Sequence, residues 1–405
     1  MSDEQTFTIA VPQSALDSLA QKLAQATLPS AAPESENEWD YGVPLKDVER
    51  LVARWKDGFD WKAAEAELNA SLPQYTRPIE VEGHGTFTAH YVHKKSEKAN
   101  AIPLLFLHGW PGHFGEVRKI LPLLANPTEV EAPAFHVVAP SLPGFGFSSA
   151  PTKKGFSGAQ YAEFSNKLML SLGYEEYVVQ GGDWGFYIAR TLAKLYPKQV
   201  KAWHTNFPAG RPPELRRNPI LYLQHMVTPY TQRDRKGLER SNWFASVGRG
   251  YYELQSTKPQ TLGYSLADSP VGLLAWVYEK LVTWTDEYPW TDDEVLTWVS
   301  LYLFSAAGPA ASVRIYFETK SNAPFADFAK SWSSVPLGLS FFPRELRITP
   351  KTWARTIGNV VFESEHTKGG HFAAFEVPEA LVGDLRKMFG KGGKGYNAVK
   401  GKDGY

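Results

Sequence analysis

Asp183 stands at the tip of "VVQGGDWGFYIARTLAKLYP" (178–197), where a β-branched run ends in small residues, turns tightly and restarts as an amphipathic helix. Phe186, Ile188, Leu192 and Leu195 supply its apolar positions. A strand–turn–helix with glycines two residues either side of the apex, here Gly181 and Gly185, is the geometry of a nucleophile elbow. A carboxylate with an ordinary pKa of about 4 is ionised at neutral pH and needs no base before it attacks. It suits displacement at an sp³ carbon carrying a strained or good leaving group, and the product is an ester between Asp183 and that carbon. The plain alternative is that Asp183 only caps the helix it precedes. The flanking glycines and the partners elsewhere in the chain argue for the nucleophile.

Breaking such an ester needs a base for water and donors for the developing oxyanion. His371, in "KGGHFAAFE", is the candidate base, since an imidazole with an ordinary pKa of about 6.5 is largely neutral at pH 7. Glu345, in "FFPRE", would orient the ring and stabilise imidazolium. Glu363 and Glu365 are nearby acidic alternatives, whereas the other place for such an acid, after the preceding strand, holds the uncharged Asn206. Backbone N–H groups are the best oxyanion donors because their dipoles are fixed before charge develops. The expected pair is Trp184, which follows the nucleophile, and Trp110 in "HGWPGH" (108–113), with His108 tying that loop down.

The elements that must position these residues follow from periodicity. Residues 1 to about 75 read as helical, and "LKDVERLVARWK" (45–56) puts Val48, Leu51, Val52 and Trp55 on one face. "IEVEGHGTFTAHYVH" reads as a hairpin, and "PLLFL" (103–107) and "FHVVA" (135–139) as short buried strands. Helical segments near 115–126 and 158–172 alternate with them, and another strand follows the elbow at "VKAWHTNFP" (200–208). Such alternation implies a mainly parallel sheet covered on both faces. Residues 209 to about 330 carry helical patterns and many aromatics, after which strand signals resume in "LGLSFF" (337–342) and "NVVFE" (359–363). The expected fold class is α/β: an α/β-hydrolase core with a mainly parallel sheet, a helical cap inserted after strand 6, and an N-terminal helical extension. The expected divisions are an extension over 1–77, a core over 78–208 and 331–389, a cap over 209–330, and a Gly/Lys-rich tail over 390–405 that composition marks as disordered. Open α/β sheets carry their sites at the carboxyl ends of the strands, which is where the candidates fall. Asp183, Glu345 and His371 also follow the chain order nucleophile, acid, histidine.

"HGWPG", "SLPGFGFS", "GGDWG" and "GGHFAAFE" together resemble the motif set of the microsomal-type epoxide hydrolases. The resemblance extends through "GYYELQSTKPQTLGYSLADSPVGLLAWVYEKLVTW" (250–284) and "EWDYG" (38–42), so it covers nearly the whole chain apart from the tail. The membrane-anchored members begin with an apolar helix that this sequence lacks, and it is more similar to the soluble members. The resemblance implies hydrolysis of an epoxide to a vicinal diol, with two cap tyrosines donating protons to the alkoxide. The matching positions are Tyr251 in "GYYELQ" and Tyr316 in "VRIYFE", with the adjacent Tyr252 left open by spacing.

Composition narrows the partners. Lys plus Arg equals Asp plus Glu, 43 each, so no net field draws the chain to nucleic acid or an anionic membrane. The absence of cysteine excludes disulfides and thiolate chemistry, and the ten histidines show no metal-ligand spacing. The expectation is therefore no metal, no cofactor, no membrane anchor and a soluble cytoplasmic location. The expected partners are a small hydrophobic epoxide and water; the sequence allows a homodimer without requiring one. Two rivals share the framework. A haloalkane dehalogenase uses the same kind of aspartate but needs halide donors, and often has Asn where Trp110 stands. A catalytically silent ligand-binding protein would have no use for Asp183, Glu345 and His371 together.

Overall fold

The structure is a computed structural model and describes residues 4–322 and 332–405. The expected boundary between cap and core at 330/331 lies outside the described residues. Nine strands form one sheet among the described residues, in the order β1-β2-β3-β5-β4-β6-β7-β8-β9. Toward one edge of the sheet, β1 (Gln5–Phe7), β2 (Gln74–Val81) and β3 (Gly85–Lys94) are antiparallel, and β3 also runs antiparallel to β5 (Phe135–Pro140). The rest is parallel: β4 (Ile102–Leu107), β6 (Tyr177–Gly181), β7 (Val200–Thr205), β8 (Pro336–Phe341) and β9 (Asn359–Glu365). All six residues of β4 and all five of β6 are buried, which is why β4 reads as a continuous apolar run rather than an alternating one, while β6 is apolar up to the buried Gln180.

The extension contains α1 (Gln13–Ala24), α2 (Leu45–Asp57) and α3 (Trp61–Ser71). It is not wholly helical, because Gln5–Phe7 pairs with Gln74–Thr76 and adds an edge strand to the sheet. The helical insertion follows Val200–Thr205, the strand expected to precede it, which becomes the seventh once this edge strand is counted. The core helices α4 (Leu121–Ala125), α5 (Gly158–Ser171) and α6 (Trp184–Leu195) connect the strands. The insertion between β7 and β8 contains α7 (Pro219–Val227), α8 (Gln232–Ser246), α9 (Gly250–Thr257), α10 (Pro259–Asp268), α11 (Pro270–Thr283), α12 (Asp292–Leu303) and α13 (Arg314–Lys320). After β8 come α14 (Lys351–Ala354), α15 (Ala373–Glu376) and α16 (Pro378–Phe389). No helix among the described residues is long and apolar enough to cross a membrane.

Helix α2 buries Val48, Leu51, Val52 and Trp55, the face its spacing predicts. Its opposite side reaches the acidic first turn of α12 through Arg50–Asp292 and through Arg54, which donates twice to Asp293 at 2.8 Å. Exposed ion pairs contribute at most about 1 kcal/mol. Burying each large apolar side chain contributes about 1.5–3 kcal/mol, so the apolar face holds α2 in place and the charges set its register.

The tail corrects an expectation. Residues 390–405, read as disordered from their Gly/Lys content, are folded back onto the core. Gly404 donates to Asn100 O and accepts from Ala134 N–H, both at 2.8 Å. The Tyr405 hydroxyl donates to Glu131 O at 3.2 Å and accepts from Lys391 N–H at 3.1 Å. Val399 is buried, and Gly392, Gly401 and Gly404 take positive φ. The glycines make turns here, and a few apolar and aromatic anchors among the lysines supply the docking that average composition hides.

Candidate active site

The elbow is strained and closely packed. Asp183 has φ 49° and ψ −122°, a conformation that costs a non-glycine residue roughly 1–3 kcal/mol and lifts its side chain clear of both strand and helix. The glycines on either side permit it. A β-carbon at Gly181 would strike the Gly185 carbonyl, and one at Gly185 would strike the Leu107 carbonyl, so α6 starts directly against β4. That contact brings the loop after β4 over the elbow, where Trp110 N–H donates to Asp183 Oδ1 at 2.8 Å. Trp184 is the first residue of α6, so its N–H belongs to the helix-terminal donors that lack an intrahelical acceptor. His108 does tie this loop down. Its Nε2 accepts from Leu142 N–H at 3.2 Å, which leaves the proton on Nδ1 to donate to Gly109 O at 2.9 Å. Burial pushes its pKa down to about 4, in keeping with a neutral ring.

Sheet topology brings Glu345 and His371 together. They leave adjacent parallel strands, β8 and β9, and a further bridge between Arg344 and Gly370 extends the pairing to the two loops. His371 Nδ1 lies 2.5 Å from Glu345 Oε1, and its Nε2 lies 3.4 Å from Asp183 Oδ2. Glu363 is engaged with Arg355 at 2.7 and 2.9 Å, and Glu365 pairs with Lys351, so neither of these alternatives reaches the ring. Asn206 donates to the His371 carbonyl at 3.4 Å and faces Gln180 rather than the imidazole. One expectation changes. Burial alone would lower the His371 pKa, but the charges of Glu345 and Asp183 and hydrogen bonding to both outweigh it and raise the pKa to about 10. The ring of the resting protein is thus an imidazolium between two carboxylates at neutral pH, not the neutral base that an unperturbed histidine would be.

The insertion roofs this group with aromatic rings. Tyr251 on α9 stacks on Trp110 at 5.3 Å between centroids, and Tyr316 on α13 meets Trp184 edge-on at 4.8 Å. Trp284 closes the side, 5.2 Å from Tyr251 and 5.0 Å from His371. Burial and the Asp183 charge both hold the Tyr251 and Tyr316 phenols well above the ordinary value, so both stay protonated. The Tyr316 hydroxyl is buried without a hydrogen-bond partner of normal geometry among the described residues. Tyr252, the open alternative, is half-buried; its ring meets Tyr316 edge-on at 5.5 Å and carries the Arg249 guanidinium 4.3 Å from its centroid.

Several contributors escaped the sequence reading. Trp298 and Tyr302 on α12 donate to the carbonyls of Pro111 and Gly112 at 2.6 and 2.5 Å, and His371 N–H donates to Trp284 O at 2.9 Å. The insertion therefore fixes both the Trp110 loop and the His371 loop, besides covering them. A small cavity of about 20 Å³ lies beside Asp183 and His371, with Glu116, Gln180 and Asn206 among its walls. No motif marks these residues, because they act through fixed tertiary neighbours. Among the described residues no group of three or more His, Asp or Glu is placed to hold a metal ion.

Comparison with known proteins gives the family. Residues 4–117 match the epoxide hydrolase N-terminus family, and residues 102–259 match the α/β-hydrolase fold family. The chain is 41% identical to a Stigmatella aurantiaca protein provisionally named an epoxide hydrolase, over 95% of this chain and 84% of that one. It is 33% identical to epoxide hydrolase 1 of Sus scrofa, over 95% of this chain and 88% of that one. The solved Aspergillus niger epoxide hydrolase is 35% identical, covers 95% of each chain and superposes with a TM-score of 0.82. The chain therefore belongs to the epoxide hydrolases and is a hydrolase of the α/β-hydrolase fold.

Proposed function

We propose that the protein converts a small hydrophobic epoxide and water to a vicinal diol through an ester on Asp183. The observation that carries this reading is the setting of the Asp183 carboxylate. Oδ1 is held by Trp110 N–H, while Oδ2 lies 3.4 Å from His371 Nε2 beneath the two buried phenols. Oδ2 is the oxygen left to attack an epoxide carbon in line with the breaking C–O bond. Tyr251 and Tyr316 donate to the oxygen as it becomes an alkoxide, a role suited to phenols that remain protonated. The aromatic walls suit aryl or alkyl substituents.

Alkylation then changes the site's electrostatics. The ester is neutral, so one of the two carboxylates that favour imidazolium is lost. His371 gives up its proton as the alkoxide is neutralised, and the charges of Asp183 and His371 cancel together. The ring, now neutral and still oriented by Glu345, accepts a proton from water as the water oxygen bonds to the Asp183 carbonyl carbon. The oxyanion formed there faces Trp110 N–H and the α6 N-terminus. Collapse expels the diol and restores the carboxylate.

The test is a panel of styrene-like and aliphatic epoxides and the corresponding halohydrocarbons, with diol and halide both quantified. Diol from epoxides without halide release is the expected result. The buried Trp184 indole N–H faces the Tyr316 hydroxyl without a hydrogen bond of normal geometry among the described residues, and it is what a halide would use. Halide release with no diol would replace this reading by the dehalogenase one. Tyr251→Phe and Tyr316→Phe should each slow alkylation roughly 10- to 100-fold, the effect of losing a hydrogen bond to a charged group worth about 1.5–3 kcal/mol. Single-turnover rates with both variants check this, and unchanged alkylation would make the tyrosines packing residues.

A further inference from the structure

The cavity beside the nucleophile is too small for a substrate. At about 20 Å³ it has room for a single water, and its walls include Asp183, His371, Glu116, Gln180 and Asn206. Gln180 is fully buried at the end of β6, and its Nε2 donates to Asn206 Oδ1 at 2.8 Å. That bond fixes the amide orientation and leaves Gln180 Oε1 buried with no hydrogen-bond partner among the described residues. An orphaned acceptor on the wall of a one-water cavity is the mark of a bound water.

Glu116 stands across from it, in the short 3₁₀ turn Phe114–Arg118 after "HGWPGH". Its carboxyl group is buried and packs on the α-carbon of Gly112, where a β-carbon would overlap it. Glycine at 112 is what lets this side chain reach the cavity. Burial pushes the carboxyl up to about 8, with the His371 charge opposing and the Asp183 charge adding to the rise, so it carries its proton at neutral pH.

We propose that Glu116 and Gln180 hold the hydrolytic water in this cavity, so that its oxygen faces the Asp183 ester carbonyl and one of its hydrogens faces His371 Nε2. The inference rests on the Asp183 ester. The donor and acceptor count closes. The water gives one hydrogen to His371 and the other to Gln180 Oε1, accepts the Glu116 O–H, and keeps one lone pair for the ester carbon. Glu116 is thus a positioning residue for ester hydrolysis and has no part in epoxide opening.

The experiment follows one turnover of styrene oxide by rapid quench, reading ester formation and ester loss separately. Glu116→Leu should slow ester loss roughly 10- to 100-fold, the scale of effect for a misplaced reactant, and leave ester formation within about twofold. Glu116→Gln keeps an uncharged donor of the same shape and should restore ester loss to within about threefold of the parent. Gln180→Leu, which removes the orphaned acceptor, should slow the same step. The proposal is overturned if Glu116→Leu loses ester at the parental rate, if it slows both steps equally as a packing defect would, or if Glu116→Gln is as impaired as Glu116→Leu. Absence of any ester, in the parent and in His371→Ala alike, would instead refute the Asp183 reading beneath it.

Discussion

A single turnover in water enriched in heavy oxygen is expected to release diol of ordinary mass, with the label left in Asp183. The attacking oxygen comes from the carboxylate, and the water oxygen enters only when the ester carbonyl is attacked. Fully labelled first-turnover diol would mean that water attacks the epoxide directly. Asp183→Asn should correspondingly lower turnover on the order of 10⁴- to 10⁶-fold, the scale found when a covalent nucleophile is removed. The same variant has a second readout. The Asp183 charge is one of the causes that raise the His371 pKa to about 10. A neutral Asn removes it, so the imidazolium should lose its proton at lower pH than in the parent. Titration of the histidine ring by nitrogen NMR measures this, and an unmoved midpoint would mean that Asp183 and His371 are not electrostatically coupled.

Residues whose chemistry is local were legible in the sequence. Gly181, Asp183 and Gly185 are read together because the elbow needs small residues where α6 meets β4, and spacing alone conveys that. The strand β4 was legible because burial on both faces leaves a short unbroken apolar run, and β6 because its β-branched residues lead straight into the elbow. What could not be read depends on neighbours distant in sequence. The His371 pKa departs from the ordinary value because two carboxylates from other loops converge on one ring, and no local window contains that sum. Trp298 and Tyr302 look like core aromatics on α12, and nothing in their spacing tells that their N–H and O–H groups reach the Trp110 loop. The strand Gln5–Phe7 was missed because three residues cannot establish an alternation, and its partner across β2 is needed to define it. Glu116 and Gln180 carry no motif at all. Their meaning appears only when the cavity between them is seen.

His371→Ala should arrest the reaction at the ester. Asp183 attacks without a base and the two phenols still donate to the departing oxygen, so ester formation should persist, though slowed by loss of the imidazolium proton, while ester breakdown should fall much further, on the order of 10⁴-fold, for want of a proton acceptor. The intact protein should then gain one substrate mass, located on the peptide that contains Asp183. Glu345→Gln should do the same less completely, and the geometry explains the difference. Glu345 Oε1 takes both the His371 Nδ1 contact at 2.5 Å and the Leu346 N–H at 2.6 Å, while Oε2 is buried without a hydrogen-bond partner among the described residues. A glutamine can keep its oxygen toward both donors and put its amide nitrogen at the unpaired position, so the ring stays oriented while the charge that stabilises imidazolium is lost. The expected slowing of ester breakdown is roughly 10²- to 10⁴-fold, with ester formation slowed less. Glu363→Gln and Glu365→Gln serve as controls, because their carboxylates are paired with Arg355 and Lys351 away from the ring. If either control accumulated ester while Glu345→Gln turned over at the parental rate, the acid of this site would be a carboxylate on β9 and the pairing of Glu345 with His371 would be only structural.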